Sequence, residues 1–231
     1  MKTFLKTKFA PLLPAYRTAR RWVSELRPKQ AIFTEIYRHR SWDDQESISG
    51  PGSNLRQTGR LRAELPGILA QLKADSLLDA PCGDFNWMRE TKLTLGKYIG
   101  ADIVPDLIDE NRKKFGTPNR RFLVLDITAD ELPKVDVIFC RDCLVHLSHK
   151  NVTAALKNFK QSGSKYILTT TYPGVKENLN IATGGWRPLN LQLPPFDLPE
   201  PEALFDEQAI ENDGSRSNKH LGLWNLARLN P

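Results

Sequence analysis

Residues 77–85 read Leu77-Leu78-Asp79-Ala80-Pro81-Cys82-Gly83-Asp84-Phe85, and this stretch decides the fold. A short apolar run ends on an acid, Pro81 and Gly83 turn the chain sharply, and a helix is expected beyond the turn. Working outward, the apolar runs Ser76–Ala80, Tyr98–Asp102, Arg121–Asp126, Val135–Arg141 and Lys165–Tyr172 alternate with helical patterns at about Pro105–Phe115 and Ser148–Ser162. Strands alternating with helices imply βαβ units and an α/β, doubly wound, mainly parallel sheet. Two further strand candidates, Glu202–Phe205 and His220–Ala227, flank a turn at Asn212–Ser215. Such a hairpin-like pair adds an antiparallel strand to the parallel set.

Ahead of the quoted stretch the apolar period is helical. Leu55, Thr58, Leu61, Leu65, Ile68, Leu69 and Leu72 mark one helix, with a kink expected at Pro66. The loop Ser49-Gly50-Pro51-Gly52-Ser53 separates it from a helix over roughly Gln30–Arg40. Further back, Tyr16, Ala19, Val23 and Leu26 mark a short amphipathic helix between Pro14 and Pro28. The chain thus divides into a leader, residues 1–29, and one domain over 30–231. In that domain, 30–74 holds the N-terminal helices and loop, 75–172 the alternating core, and 173–231 a Pro- and Asn-rich segment with the final strands.

A length of 231 residues, 40% of them hydrophobic, suits one such domain with a buried core. The net charge of +6 is unevenly placed. Residues 1–30 hold eight Lys or Arg against one acid, which is +7, and the remaining 201 residues carry −1. A nearly neutral body argues against a surface built for nucleic acid, whereas the basic leader suits an anionic lipid surface or a solvated tail. The longest uncharged run, Tyr166–Val175, is ten residues, well short of the ~20 apolar residues of a membrane-spanning helix. Pro11 and Pro14 break the N-terminus as a signal peptide core. Three cysteines (Cys82, Cys140 and Cys143) are too few for a disulfide scaffold in a chain this long. A cytoplasmic location is expected, with peripheral membrane contact through residues 1–29.

In a doubly wound sheet, ligands sit beyond the carboxyl ends of the strands. Gly83 lets backbone come close to a ligand there. Asp102 closes the second strand, where a carboxylate suits the two hydroxyls of a ribose. Asp126 and Ile127 close the third, suited to an exocyclic amine and the face of a purine. Pro81, Ile103 and Arg141 belong to the same strand ends. A glycine turn with a ribose acid fits a dinucleotide or S-adenosylmethionine. A pyrophosphate needs more glycines and no flanking negative charge, yet here Asp79 and Asp84 flank a single glycine. Those acids suit an ammonium and a sulfonium, so S-adenosylmethionine is the expected cofactor.

The chain resembles the class I S-adenosylmethionine-dependent methyltransferases. More narrowly, it resembles a group associated with glycans and polysaccharides, through the blocks Trp42–Ser53, Leu77–Met88, Tyr98–Ile108, Cys140–Ser148 and Arg187–Phe196. The resemblance spans about Ile32–Leu226. It implies a seven-strand Rossmann-like methyltransferase sheet whose last strand, near Leu221–Ala227, runs antiparallel. It also implies a sugar acceptor. Ala80, Pro81 and Asp84 depart from the class, which commonly has glycines there.

Methyl transfer to a hydroxyl requires a positioned acceptor and a base. After the fourth strand stand Arg141, Asp142, His146 and His149. His146 is the expected base, with Asp142 one helical turn back as its orienter or as a second base. His149 is expected to face solvent. Cys140-x-x-Cys143 with His146 has the form of a zinc site, but lacks a second cysteine pair, so no metal is expected and the cysteines are read as small buried hydrophobes. Ser53 in the glycine loop and Trp186, Arg187 and Phe196 in the long segment are expected to hold the acceptor, the aromatics by stacking and Arg187 through an anionic group. Trp224 is expected in the core. Three readings remain at this point: an O-methyltransferase for a sugar in a glycan or nucleotide sugar, a methyltransferase for a small metabolite or lipid-linked intermediate, and a binding module without catalysis.

Overall fold

The computed structural model of the chain describes residues 27–42, 44–210 and 217–231. The expected leader helix over Tyr16–Leu26 and the turn at Asn212–Ser215 lie outside the described residues. Four α-helices are described: α1 (Lys29–Arg38), α2 (Gly59–Gln71), α3 (Pro105–Phe115) and α4 (His149–Gln161). The strands are β1 (Ser76–Asp79), β2 (Lys97–Asp102), β3 (Arg120–Val124), β4 (Val137–Cys140), β5 (Tyr166–Thr171), β6 (Ala203–Asp206) and β7 (His220–Asn225).

These strands form one seven-stranded sheet in the order β3-β2-β1-β4-β5-β7-β6. Strands β1 to β5 pair in parallel, with Leu78 opposite Ile99 on one side and Ile138 on the other. The last strand is antiparallel to both neighbours, Leu223 facing Leu168 and Ala203. Alternate residues of β1 feed opposite faces, as the pleat requires. Leu78 joins Ile138, Ile167 and the α4 residues Val152, Leu156 and Phe159 in one core. Leu77 joins Phe122, Phe139 and the α2 residues Leu61, Leu65 and Leu69 in the other. Trp224 is buried, its indole N–H donating to the Pro199 carbonyl at 2.8 Å.

The helix expected after β1 is absent. Residues 80–96 contain only a 3₁₀ turn at Met88–Glu90. Gly83 and Phe85 both take left-handed backbone, φ +52° and +58°, which no right-handed helix can run through. Packing holds Phe85 there, its ring within 5.2–5.4 Å of those of Tyr98, Phe115 and Phe122. Helix α2 begins four residues after Leu55 and contains Pro66. Among the described residues, no helix is long and apolar enough to cross a membrane.

Because the strand order reverses between β1 and β4, a crevice opens at their carboxyl ends, where Asp79, Asp102 and Cys140 terminate β1, β2 and β4.

Candidate active site

A cavity of about 520 Å³ fills that crevice. Of the residues singled out in the sequence, Ser53, Asp79, Pro81, Gly83, Asp84, Asp102, Ile103, Asp126, Ile127, Arg141, Asp142, His146 and Trp186 line it. Arg187 and Phe196 do not.

Two buried carboxylates form the floor. Asp79 accepts the Tyr98 hydroxyl, and burial pushes its carboxyl up to about 7. Asp102 accepts the N–H groups of Gly83 at 3.3 Å and Val104 at 3.0 Å, and burial raises it to about 6. Both would ionise fully beside a cationic ligand and would oppose a pyrophosphate. The floor therefore fits S-adenosylmethionine, whose ammonium and sulfonium are positive.

Gly83 lines the cavity and also meets a neighbouring loop. A Cβ there would stand 2.2 Å from Ser49 Oγ, so the missing side chain admits the Ser47–Ser53 loop. Asp84 holds the same loop, accepting from Ser47 Oγ and the Ile48 N–H at 2.9 Å and from Ser49 Oγ at 3.3 Å. These bonds seat that loop over the turn, with Asp84 still lining the cavity. Asp126 is also engaged. One oxygen accepts from Thr128, and the other faces Lys29 Nζ of α1 at 3.1 Å. Gln30 Nε2 reaches the Ile103 carbonyl at 3.2 Å, so α1 lies across the ends of β2 and β3.

The opposite wall carries Asp142 and His146. The helix expected to start at Asp142 is instead a 3₁₀ turn, Leu144–His146. Asp142 takes φ +51°, its N–H donating to Thr170 Oγ1 at 2.9 Å. Its Oδ2 contacts Lys219 Nζ and, at 3.2 Å, Arg141. Glu207 completes the ring, its Oε2 2.7 Å from Arg141 and 3.4 Å from Lys219. Burial alone would raise the Asp142 carboxyl, but Lys219 and Arg141 outweigh it and hold it at about 2. The His146 ring is therefore oriented by a different group: Nδ1 lies 2.7 Å from the Gly185 carbonyl. A carbonyl only accepts, so Nδ1 carries the proton and Nε2 is left with the lone pair. Burial lowers the His146 pKa, keeping the ring neutral at pH 7.

Arg187 lies outside the cavity lining, its guanidinium donating to the carbonyls of Leu144 and Leu147 at 2.8 Å and Leu179 at 3.2 Å. It braces the turn that carries His146. Phe196 is buried and packs edge-on against the His149 ring at 5.2 Å, which is half-buried rather than solvent-facing. Trp186 is 55% exposed at the cavity rim, edge-on to Tyr172. Cys82 and Cys140 are buried and Cys143 is half-buried. Among the described residues, no cluster of His, Cys, Asp and Glu could hold a metal ion.

Residues 77–162 match the family model described as a methyltransferase domain. Over that stretch the chain carries a methyltransferase domain, and its seven-stranded sheet has the Rossmann-like methyltransferase fold. In fold, the chain is similar to the N-methyltransferase NodS from Bradyrhizobium japonicum WM9, at 12% identity and TM-score 0.55, covering 83% of this chain and 97% of that one. It is similar to the 1,6-didemethyltoxoflavin-N1-methyltransferase of Burkholderia thailandensis, at 12% identity and TM-score 0.54, covering 85% and 86%. A third likeness is to the methyltransferase domain of bacterial CtHen1-C, at 14% identity and TM-score 0.54, covering 74% and 98%. At such identities the likeness is one of fold. No curated protein matches the chain in sequence.

The sequence reading missed Lys219, Glu207 and a function for Trp42, which stacks on His146. Lys219 did leave a signal, as a lone charge abutting the apolar run His220–Ala227.

Proposed function

We propose that this methyltransferase acts on a hydroxyl group of a sugar, carried in a glycan or nucleotide sugar. The observation that carries the reading is the His146 tautomer: a neutral ring in the cavity wall, with Nδ1 held by Gly185 and Nε2 available for a proton. S-adenosylmethionine, when bound, supplies a methyl group on a positively charged sulfur. The chain holds the acceptor hydroxyl in line, and as the oxygen forms its bond to the methyl carbon and the carbon–sulfur bond breaks, His146 Nε2 takes the hydroxyl proton. Asp142, held near pKa 2, is too weak a base for that step. Trp42, Tyr172 and Trp186 give the cavity aromatic walls, a surface on which the C–H face of a sugar ring stacks. The resemblance of the Arg187–Phe196 block to glycan-associated methyltransferases supports the same acceptor.

Transfer of radiolabelled methyl to a panel of saccharides and nucleotide sugars tests this reading. Label on a sugar oxygen, lost in His146→Ala, is expected. Transfer to a non-sugar acceptor alone would refute it, and an absence of S-adenosylmethionine binding by calorimetry would leave only a binding module.

The +7 leader is proposed to bring the enzyme to anionic lipid, near membrane-anchored glycan intermediates. Removing residues 1–26, which spares the Lys29–Asp126 pair, is expected to abolish binding to phosphatidylglycerol vesicles and to spare cofactor binding. Undiminished vesicle binding would exclude this role.

A further inference from the structure

The ring of Arg141, Asp142, Glu207 and Lys219 is not explained by stability. Arg141, Glu207 and Lys219 are buried, and a buried ion cluster is often no more stable than apolar side chains of equal size. The ion pairs of Glu207 with Arg141 and Lys219 both run through Oε2, while Oε1 is buried with no hydrogen-bond partner among the described residues, a further energetic penalty. Three of its four members, Arg141, Asp142 and Lys219, line the cavity, and Asp142 takes left-handed backbone. That combination is characteristic of functional sites.

Its geometry has a direction. Both cations hold Asp142 through Oδ2. The glycine loop closes the same side, since a Cβ on Gly52 would lie 3.1 Å from Oδ2 and 3.9 Å from Lys219 Nζ. None of these contacts uses Oδ1, and Asp142 lines the cavity together with His146, near enough for its negative charge to favour the imidazolium. Two acceptors of different kinds thus share one wall, a fixed carboxylate oxygen and a neutral ring nitrogen.

We propose that Lys219 and Glu207 are positioning residues for the acceptor, aiming Asp142 so that Oδ1 accepts one hydroxyl of a vicinal diol while His146 Nε2 accepts its neighbour. The methylated oxygen is the one at His146, and the hydroxyl at Asp142 fixes which oxygen that is. The proposal rests on the sugar reading and narrows it to sugars with adjacent free hydroxyls. Because both cations hold Asp142 ionised, it accepts a hydrogen bond throughout the working pH range without taking the proton.

The test uses the full chain with S-adenosylhomocysteine bound and the methyl glycosides of mannose, galactose and rhamnose as probes. Binding is read by saturation-transfer NMR. Each glycoside is compared with its monodeoxy analogues, in wild type and in Asp142→Asn, Lys219→Met, Lys219→Arg and Glu207→Gln. A hydrogen bond to a charged group predicts about tenfold weaker binding in Asp142→Asn and Lys219→Met, with most of it recovered in Lys219→Arg. The analogue lacking the hydroxyl held by Asp142 should bind wild type about tenfold more weakly and lose nothing more in Asp142→Asn. Cofactor affinity should stay within about twofold throughout, a condition a general loss of structure would not meet. If Lys219→Met does not fold, Glu207→Gln carries the test, with the same loss expected. Equal glycoside affinity in wild type and these variants would overturn the proposal and leave the sugar reading standing. No glycoside binding to wild type at about 50 mM, with the cofactor site filled, would overturn both.

Discussion

The indole of Trp42 lies against the imidazole of His146, ring centroids 4.8 Å apart and planes inclined by 32°. The imidazole, proposed above as the base, is thereby covered on one face, while Gly185 fixes its tautomer on another edge. Gly50 makes the contact feasible, taking φ +94° with its absent Cβ 3.1 Å from that of Trp42. Burial is the main cause of the lowered His146 pKa, so the acid limb of the rate profile should fall below the ordinary 6.5. Trp42→Ala lets water reach the ring and should move that limb upward, toward 6.5. His146→Ala should cost about 10²- to 10⁴-fold in kcat, the usual range for removing a general base. A pH–rate profile that does not move in Trp42→Ala would show that shielding is not what lowers the pKa.

Cofactor binding should depend on pH through Asp79. Its folded pKa of about 7 lies above that of an unfolded aspartate, so the folded protein binds the extra proton. The contribution to stability of the ligand-free protein is fully present below the unfolded value and is lost as pH rises toward about 7. A cationic ligand reverses the preference by favouring the ionised carboxylate. Affinity for S-adenosylmethionine should therefore rise between about pH 6 and about pH 8, with proton release on binding. Calorimetry in two buffers of different ionisation heat measures both effects. Asp79→Asn should flatten the dependence, and a flat wild-type profile would contradict the assignment.

Gly83 is constrained twice, by φ +52° and by Ser49 Oγ at 2.2 Å from a built Cβ. Gly83→Ala should cost about 1–2 kcal/mol for the left-handed backbone and about 1–3 kcal/mol for overpacking. Adding Ser49→Ala removes the oxygen and should recover part of the second component only. Urea unfolding of the single and double variants separates the two, and strictly additive losses would mean that Ser49 is not the obstacle.

What the sequence revealed follows physical range. β1, buried on both sides, declares itself through Leu77 and Leu78 next to a turn, and the acids Asp79 and Asp102 are legible because strand ends face the crevice. The helix expected beyond the turn does not form because the left-handed backbone of Phe85 is imposed by Tyr98, Phe115 and Phe122, which are distant in sequence. Asp142 was expected to meet His146 through a local helix, but its partners Lys219 and Glu207 come from the far hairpin. No local spacing encodes that meeting. Nothing near Asp84 in the chain reveals that Ser47, Ile48 and Ser49 return to hydrogen-bond it at the cavity wall.

Arg187 separates an acceptor role from a scaffolding one. Its exposure is 4%, and burial lowers its pKa to about 10, so it remains charged at neutral pH. The charge is shared among the carbonyls of Leu144, Leu147 and Leu179, the first two belonging to or adjoining the turn that ends in His146. Arg187→Met would leave the Leu147 carbonyl without its donor in a buried place, while the Leu144 carbonyl keeps the Leu147 N–H. At about 1–3 kcal/mol for an unsatisfied buried group, with the bonds to Leu144 and Leu179 lost besides, the loss should reach about 2–3 kcal/mol. Thermal unfolding should show that drop, and kcat should fall with it because the His146 turn loses its brace. The KM for anionic and neutral acceptors should change alike, since no acceptor touches the guanidinium. A rise in KM confined to anionic acceptors, with unfolding unchanged, would instead return Arg187 to the acceptor site.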